Sequence, residues 1–115
     1  MFKRRPGMTR EEFREYWGTN HARIFTSVNA VKEKIVRYNQ FHMLGPQTDA
    51  LAAAGLPIAP FDGAAEFWVE KVEDLLAVFG DEEFIKTAVP DEVNFMDRNS
   101  VQLLVGDDQV KHFKS

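Results

Sequence analysis

The sequence predicts an α+β fold of the ferredoxin-like βαββαβ type, with a four-stranded antiparallel sheet. Three observations predict it. The order of elements reads strand, helix, strand, strand, helix, strand, which is the split βαβ pattern. The first helix carries a clean apolar stripe, Phe13, Trp17, His21, Ile24 and Val28, at spacings of four, four, three and four, so it has one face to bury. Neither face of the second strand is purely polar, so both sides of the sheet look for cover. With the helices on one side only, the other side is left bare, and a second copy closing on it predicts a symmetric homodimer.

In chain order, Met1 to Arg5 is the first strand, cut off by Pro6-Gly7. It is short against the usual five or six residues or so, so either it begins abruptly or its N-terminal piece is missing. Thr9 and Glu12 stand at capping-box spacing and start the helix. Gly18 weakens its middle and Asn29 offers a stop. Lys34 to Leu44 is the second strand. Val36, Tyr38, Gln40, His42 and Leu44 share one face; Ile35, Arg37, Asn39, Phe41 and Met43 share the other. Gly45 to Gly63 is a long connection with Gly, Pro and Ala prominent, read as a lid loop. Within it Thr48 to Ala54 can form a helical turn or two, and Pro57 and Pro60 stiffen the rest. Ala64 to Glu70 is the third strand. Glu73 to Phe79 and Asp81 to Val89 are short helices, the second capped by Asp81 and ended by Pro90. Asn94 to Arg98 reads as irregular, and Ser100 to Val105 as the last strand, closed by Gly106-Asp107-Asp108.

Composition bounds the function. A chain of 115 residues makes one domain, 1–115, large enough for a core of its own. Net charge of −4 argues against nucleic acid or an anionic membrane as partner. The absence of cysteine removes thiolate chemistry and disulfides. No apolar run has transmembrane length, and a cytoplasmic location is expected. Ten phenylalanines suggest an aromatic-lined interior or cavity. The three histidines are far apart, with no paired ligand spacing, so neither a metal nor any other cofactor is expected. The glycines form no phosphate cradle, and no serine sits in a nucleophile elbow.

His21 is the leading candidate for chemistry. An imidazole inside an apolar stripe needs a hydrogen-bond partner. A neutral imidazole can also give or take a proton near neutral pH. By spacing alone, a structural histidine satisfied within the protein is the commoner outcome. His42, Gln40 and Tyr38 would enter the same cavity if their strand face meets the helices, and Tyr38 could donate to a developing enolate oxygen. Trp17, Phe25, Phe67 and Phe84 could wall a flat ligand or be plain core. Asp97 could orient an imidazole or cap a turn.

The stretch KRRPGMTREEFREYWGTNHARI resembles the opening of EthD-like proteins of the dimeric α+β barrel superfamily. The basic residues before Pro6-Gly7-Met8, the pairs Glu12-Phe13 and Tyr16-Trp17, and His21-Ala22 carry the likeness. RYNQFHML is similar to the second strand of fungal polyketide-pathway members. FDGAAEFWVEKVEDL resembles the third strand and its run into a helix, and VNFMDRNS the approach to the last strand. The resemblance reverses the reading of His21 in favour of catalysis. It implies that the homodimer is a dimeric α/β barrel. It also implies a cofactor-independent lyase, a decarboxylase, dehydratase or cyclase, acting on an aromatic polyketide intermediate through an enolate. His21, His42 and Tyr38 would be catalytic; Trp17, Phe25, Gln40, Phe67, Phe84 and Asp97 would bind substrate. Two alternatives stand beside it: a cofactorless monooxygenase forming a quinone, and a non-catalytic dimeric carrier of a hydrophobic small molecule.

Overall fold

The computed structural model describes all residues from Met1 to Ser115 and shows an α+β chain. The first helical run has three parts: α1 (Arg10–Glu15), a π-helical segment (Tyr16–His21) and α2 (Ala22–Ser27). Thr9 caps it as its sequence predicts. The Thr9 hydroxyl accepts from the Glu12 amide at 3.1 Å, and the Glu12 carboxylate accepts from the Thr9 amide at 3.0 Å. The chain leaves the helix at Val28, whose backbone is extended (φ −69°, ψ 126°), and Asn29 begins a further helix, α3 (Asn29–Lys34), instead of ending the first. The reason is burial. Val28, Ala30 and Val31 are all buried, and the Asn29 amide donates to the Glu83 carboxylate at 2.8 Å. The second strand is correspondingly shorter than the reading of Lys34 to Leu44.

Four strands form two antiparallel pairs: β1 (Lys3–Arg4) with β4 (Met96–Asp97), and β2 (Arg37–His42) with β3 (Gly63–Trp68). One antiparallel bridge, Phe2 to Gly63, ties the pairs together. In place of the expected single four-stranded sheet there are two two-stranded ladders, linked by that bridge. β4 lies where an irregular stretch was expected, and Ser100 to Val105 is not a strand. Asp97 turns the chain by accepting from the Asn99 amide at 3.2 Å. Beyond that turn Gln102 meets only the Met1 backbone, and Leu103, Leu104 and Val105 are exposed. A strand-like pattern without a neighbouring ladder stays unpaired.

Between β2 and β3 the connection holds α4 (Gly45–Ala53), longer than the expected turn or two and with no buried residue. After β3 come α5 (Val72–Phe79) and α6 (Glu82–Asp91). Asp81 caps α6, accepting from the Phe84 amide at 3.0 Å. Pro90 does not end α6 but lies within its last turn. There its missing N–H removes a single helical bond, and the amide of the capping residue Glu92 reaches Val89. No helix is long and apolar enough to cross a membrane.

The core has two parts. One joins Phe25, Val28, Ala30, Val31, Val78, Phe84 and Ala88; the other is the aromatic group Phe2, Phe13, Trp17 and Phe95. The Tyr38, Gln40 and His42 face of β2 meets the helices. The opposite face is not buried in the single chain: Phe41 is 61% exposed, and Arg37 lies over the Trp68 ring at 4.9 Å.

Candidate active site

The π-helical segment sets the site. Its wider i→i+5 turn narrows the angle between residues five apart, which in an α-helix diverge. Tyr16 and His21 therefore reach the same carboxylate, that of Asp91 at the end of α6. The Tyr16 hydroxyl donates to Asp91 Oδ1 at 2.5 Å, and His21 Nδ1 lies 2.9 Å from Asp91 Oδ2. The Asn94 amide is a third donor to the carboxylate, reaching Oδ1 at 2.9 Å. Both His21 and Asp91 are buried.

Electrostatics assign the protons. Burial works against ionisation of Asp91, but the hydrogen bonds from Tyr16, Asn94 and His21 outweigh it and hold the carboxyl below the ordinary range. A carboxylate only accepts, so Nδ1 of His21 carries a hydrogen. Burial pushes the imidazole below its usual value, with Asp91 offsetting part of that shift. His21 is therefore neutral near pH 7, and its lone pair is on Nε2. That nitrogen has no protein partner and is not sealed in packing.

The His21 side chain also borders a hollow. A cavity of about 270 Å³ lies between the two core groups. Trp17, His21, Phe25, Tyr38, Phe67 and Phe84 line it, together with Phe2, Phe79 and Phe95. Its only acidic or strongly basic side chains are Glu92 and Arg98, with Glu92 Oε1 3.4 Å from Arg98 Nε. Six of the nine residues anticipated from the sequence thus meet in one hollow. Burial raises the Tyr38 phenol above its ordinary value, with hydrogen bonds from Gln40 and Trp17 offsetting part. Its oxygen accepts from Gln40 Nε2 at 2.8 Å, which leaves the hydroxyl proton free to be donated.

The other three residues lie elsewhere. Gln40 stands behind the wall: its Nε2 also donates to the Trp17 carbonyl at 2.9 Å, a group that accepts from Ala22 across the π turn, and its Oε1 meets His42 Nε2 at 2.8 Å. His42 faces a second hollow of about 370 Å³ with Arg10, Arg14, Pro46, Asp49 and Asp62. The Trp17 ring, 4.5 Å from that of His42, divides the two spaces. The expected common cavity of His21 and His42 is therefore split, because the largest side chain of the stripe stands between them. Asp97 caps the turn after β4, and the imidazole-orienting part falls to Asp91. Asp91, Tyr16, Glu92 and Arg98 went unforeseen as site residues. Asp91 follows Pro90 with no local pattern to mark it, 70 positions from His21. Tyr16 could be paired with His21 only by foreseeing the π turn. No three His, Cys, Asp or Glu side chains gather at ligand distance of one point.

The EthD domain family matches residues 5–99. The chain belongs to that family. Among curated proteins, the "conidial pigment biosynthesis dehydratase EthD" of Metarhizium robertsii is 28% identical over 109 residues, covering 90% of this chain and 75% of that protein. No solved structure matches. The matched EthD span contains the whole Tyr16–His21–Asp91 constellation as well as Tyr38, Glu92 and Arg98.

Proposed function

We propose that this EthD domain protein is a cofactor-independent lyase of secondary metabolism that acts on an aromatic polyketide-like ketone through an enolate. Dehydration is favoured among the lyase reactions, because the curated relative is named a pigment biosynthesis dehydratase. The observation that carries the reading is an uncapped His21 Nε2 beside an aromatic hollow, with Asp91 behind the same ring.

A flat ketone enters among Phe25, Phe67 and Phe84. His21 Nε2 takes the proton from the carbon next to the carbonyl. The charge moves to the carbonyl oxygen, where the Tyr38 hydroxyl donates to it. Asp91 holds the ring in the productive tautomer and stabilises the imidazolium as it forms. Gln40 positions Tyr38. His42 orients the Gln40 amide and does not touch substrate. The protein works as a homodimer in this reading, a second copy covering the sheet face that carries Phe41.

Deuterium uptake at the α-carbon of 1-tetralone in D₂O tests the base step. Wild-type protein should accelerate exchange, and His21→Ala should lose about 10²-fold or more of that acceleration. Retained ketone binding with no exchange dependent on His21 would leave a carrier in place of the enzyme.

A further inference from the structure

The two charged side chains in the wall of the His21 hollow have no part in proton abstraction. Glu92 and Arg98 belong to the short segment after α6, on either side of β4. Arg98 is about half exposed, whereas the Glu92 side chain is 23% exposed. The half-exposed guanidinium is screened by solvent, while the more buried Glu92 carboxyl shares the hollow with His21.

Elimination of water from a β-hydroxy ketone needs two proton transfers. The base step leaves an enolate; hydroxide is a poor leaving group and departs more readily as water. Asp91 cannot protonate it, since its carboxylate is held ionised by three donors. Tyr38 is engaged at the enolate oxygen.

We propose that the Glu92 carboxyl is the acid that protonates the departing hydroxyl of a β-hydroxy ketone, in the same cavity where His21 takes the carbon-bound proton. This rests on the reading of His21 as the base. The C–H bond breaks first, its proton passing to His21 Nε2 and its electron pair into the enolate. The carbonyl then re-forms, the C=C bond closes and the C–O bond breaks as the Glu92 proton moves to the leaving oxygen. The products are an α,β-unsaturated ketone and water, with no change of oxidation state. The imidazolium and the Glu92 carboxylate are reset by one proton passing from the first to the second. The environment shifts both groups toward the starting state. Burial raises the Glu92 carboxyl above the usual range; Arg98 opposes this and the neighbouring Asp91 charge adds to it. Burial keeps His21 neutral. An acid and a base can then coexist nearer to neutral pH than either unperturbed group would allow.

A leaving-group comparison tests the assignment. The probes are 3-hydroxy-1-tetralone, which must lose water, and 3-acetoxy-1-tetralone, which loses acetate without needing a proton. Glu92→Gln should lower kcat/KM for the hydroxy ketone about 10²-fold or more and fall far less on the acetoxy ketone. Glu92→Asp should recover part of the hydroxy activity. An equal loss on both ketones, or no loss on the hydroxy ketone, overturns the acid role. If wild-type protein surpasses His21→Ala on neither ketone, the base reading itself has failed and the acid role goes with it. A Glu92→Gln protein that does not fold is replaced by Glu92→Asp, for which a selective hydroxy deficit supports the proposal and an equal loss on both ketones overturns it.

Discussion

His21 and His42 are two versions of the same side chain on either side of Trp17. Burial lowers the proton affinity of both, and each has one ring nitrogen engaged within the protein. They differ in what holds that nitrogen and where the other one goes. Asp91 holds Nδ1 of His21, with Nε2 left unpartnered beside a hollow of about 270 Å³. An amide holds His42, and its Nδ1 is buried with no partner at all. A neighbouring Arg14 further discourages protonation there. Burial and a lowered pKa therefore do not separate the two histidines; the surroundings of each free nitrogen do.

The contrast predicts unequal losses. His21→Ala should cost about 10²- to 10⁴-fold in turnover, the usual span for a general base. His42→Ala should cost about tenfold or less, since in the proposed reaction it acts only through Gln40 on Tyr38. Steady-state rates with a β-hydroxy ketone measure both. Equal losses would mean that the two hollows serve one reaction.

Asp91→Asn comes next, with an expected loss of about 10- to 100-fold, the scale of removing a partner that orients an imidazole. Its pH profile is more telling. The His21 pKa lies below the ordinary imidazole value, so wild-type activity should persist below that value and fall as pH drops through the folded-state pKa. Asp91 raises the His21 pKa, so its removal should move this acid limb to still lower pH. Stability follows the same direction. For His21 and Asp91 alike, the folded-state pKa is depressed. Each contribution is thus complete above the unfolded-state pKa and is lost as pH falls through the folded one. Denaturant titrations across that range measure the slope.

Trp17 keeps the two sides apart, and Gly63 makes room for it. A Cβ at Gly63 would lie 2.6 Å from Trp17 Cζ3 and 2.9 Å from its Cη2. Gly63→Ala should destabilise the fold by about 1–3 kcal/mol through overpacking, read as a lower denaturant midpoint. Because the indole must shift, the difference between His21→Ala and His42→Ala should also narrow in that background.

Much of this was legible in the chain, for reasons that are local. The Thr9–Glu12 box, the stripe through His21, the strand around Tyr38 and the Asp81 cap all depend on residues within a few positions of one another. What escaped depends on distant contacts. Asp91 meets His21 only because α6 packs on α2, and no spacing rule spans that gap. The π turn that aims Tyr16 at Asp91 has no simple residue signature beyond a weakening glycine at 18. Ser100 to Val105 has the pattern of a strand, but pattern does not supply a neighbour. The shared cavity of two histidines failed because facing the same way along β2 says nothing of a tryptophan standing between.

The smallest effect expected is at the far side of the His42 hollow. Arg10 and Asp49 form an exposed ion pair at 3.2 Å, with side chains 43% and 66% accessible. It joins α1 to α4, which has no buried residue of its own. Solvent screening limits such a pair to about 0.2–1 kcal/mol, so Asp49→Asn should barely move the denaturant midpoint. Its value lies in turnover. If the His42 side only supports Gln40, freeing α4 should leave kcat and KM within about twofold, because surface changes away from packed features have small effects. A tenfold fall in kcat with stability intact would make α4 a working part of the site. The division that Trp17 imposes would then be a feature of the resting protein and not of the reaction.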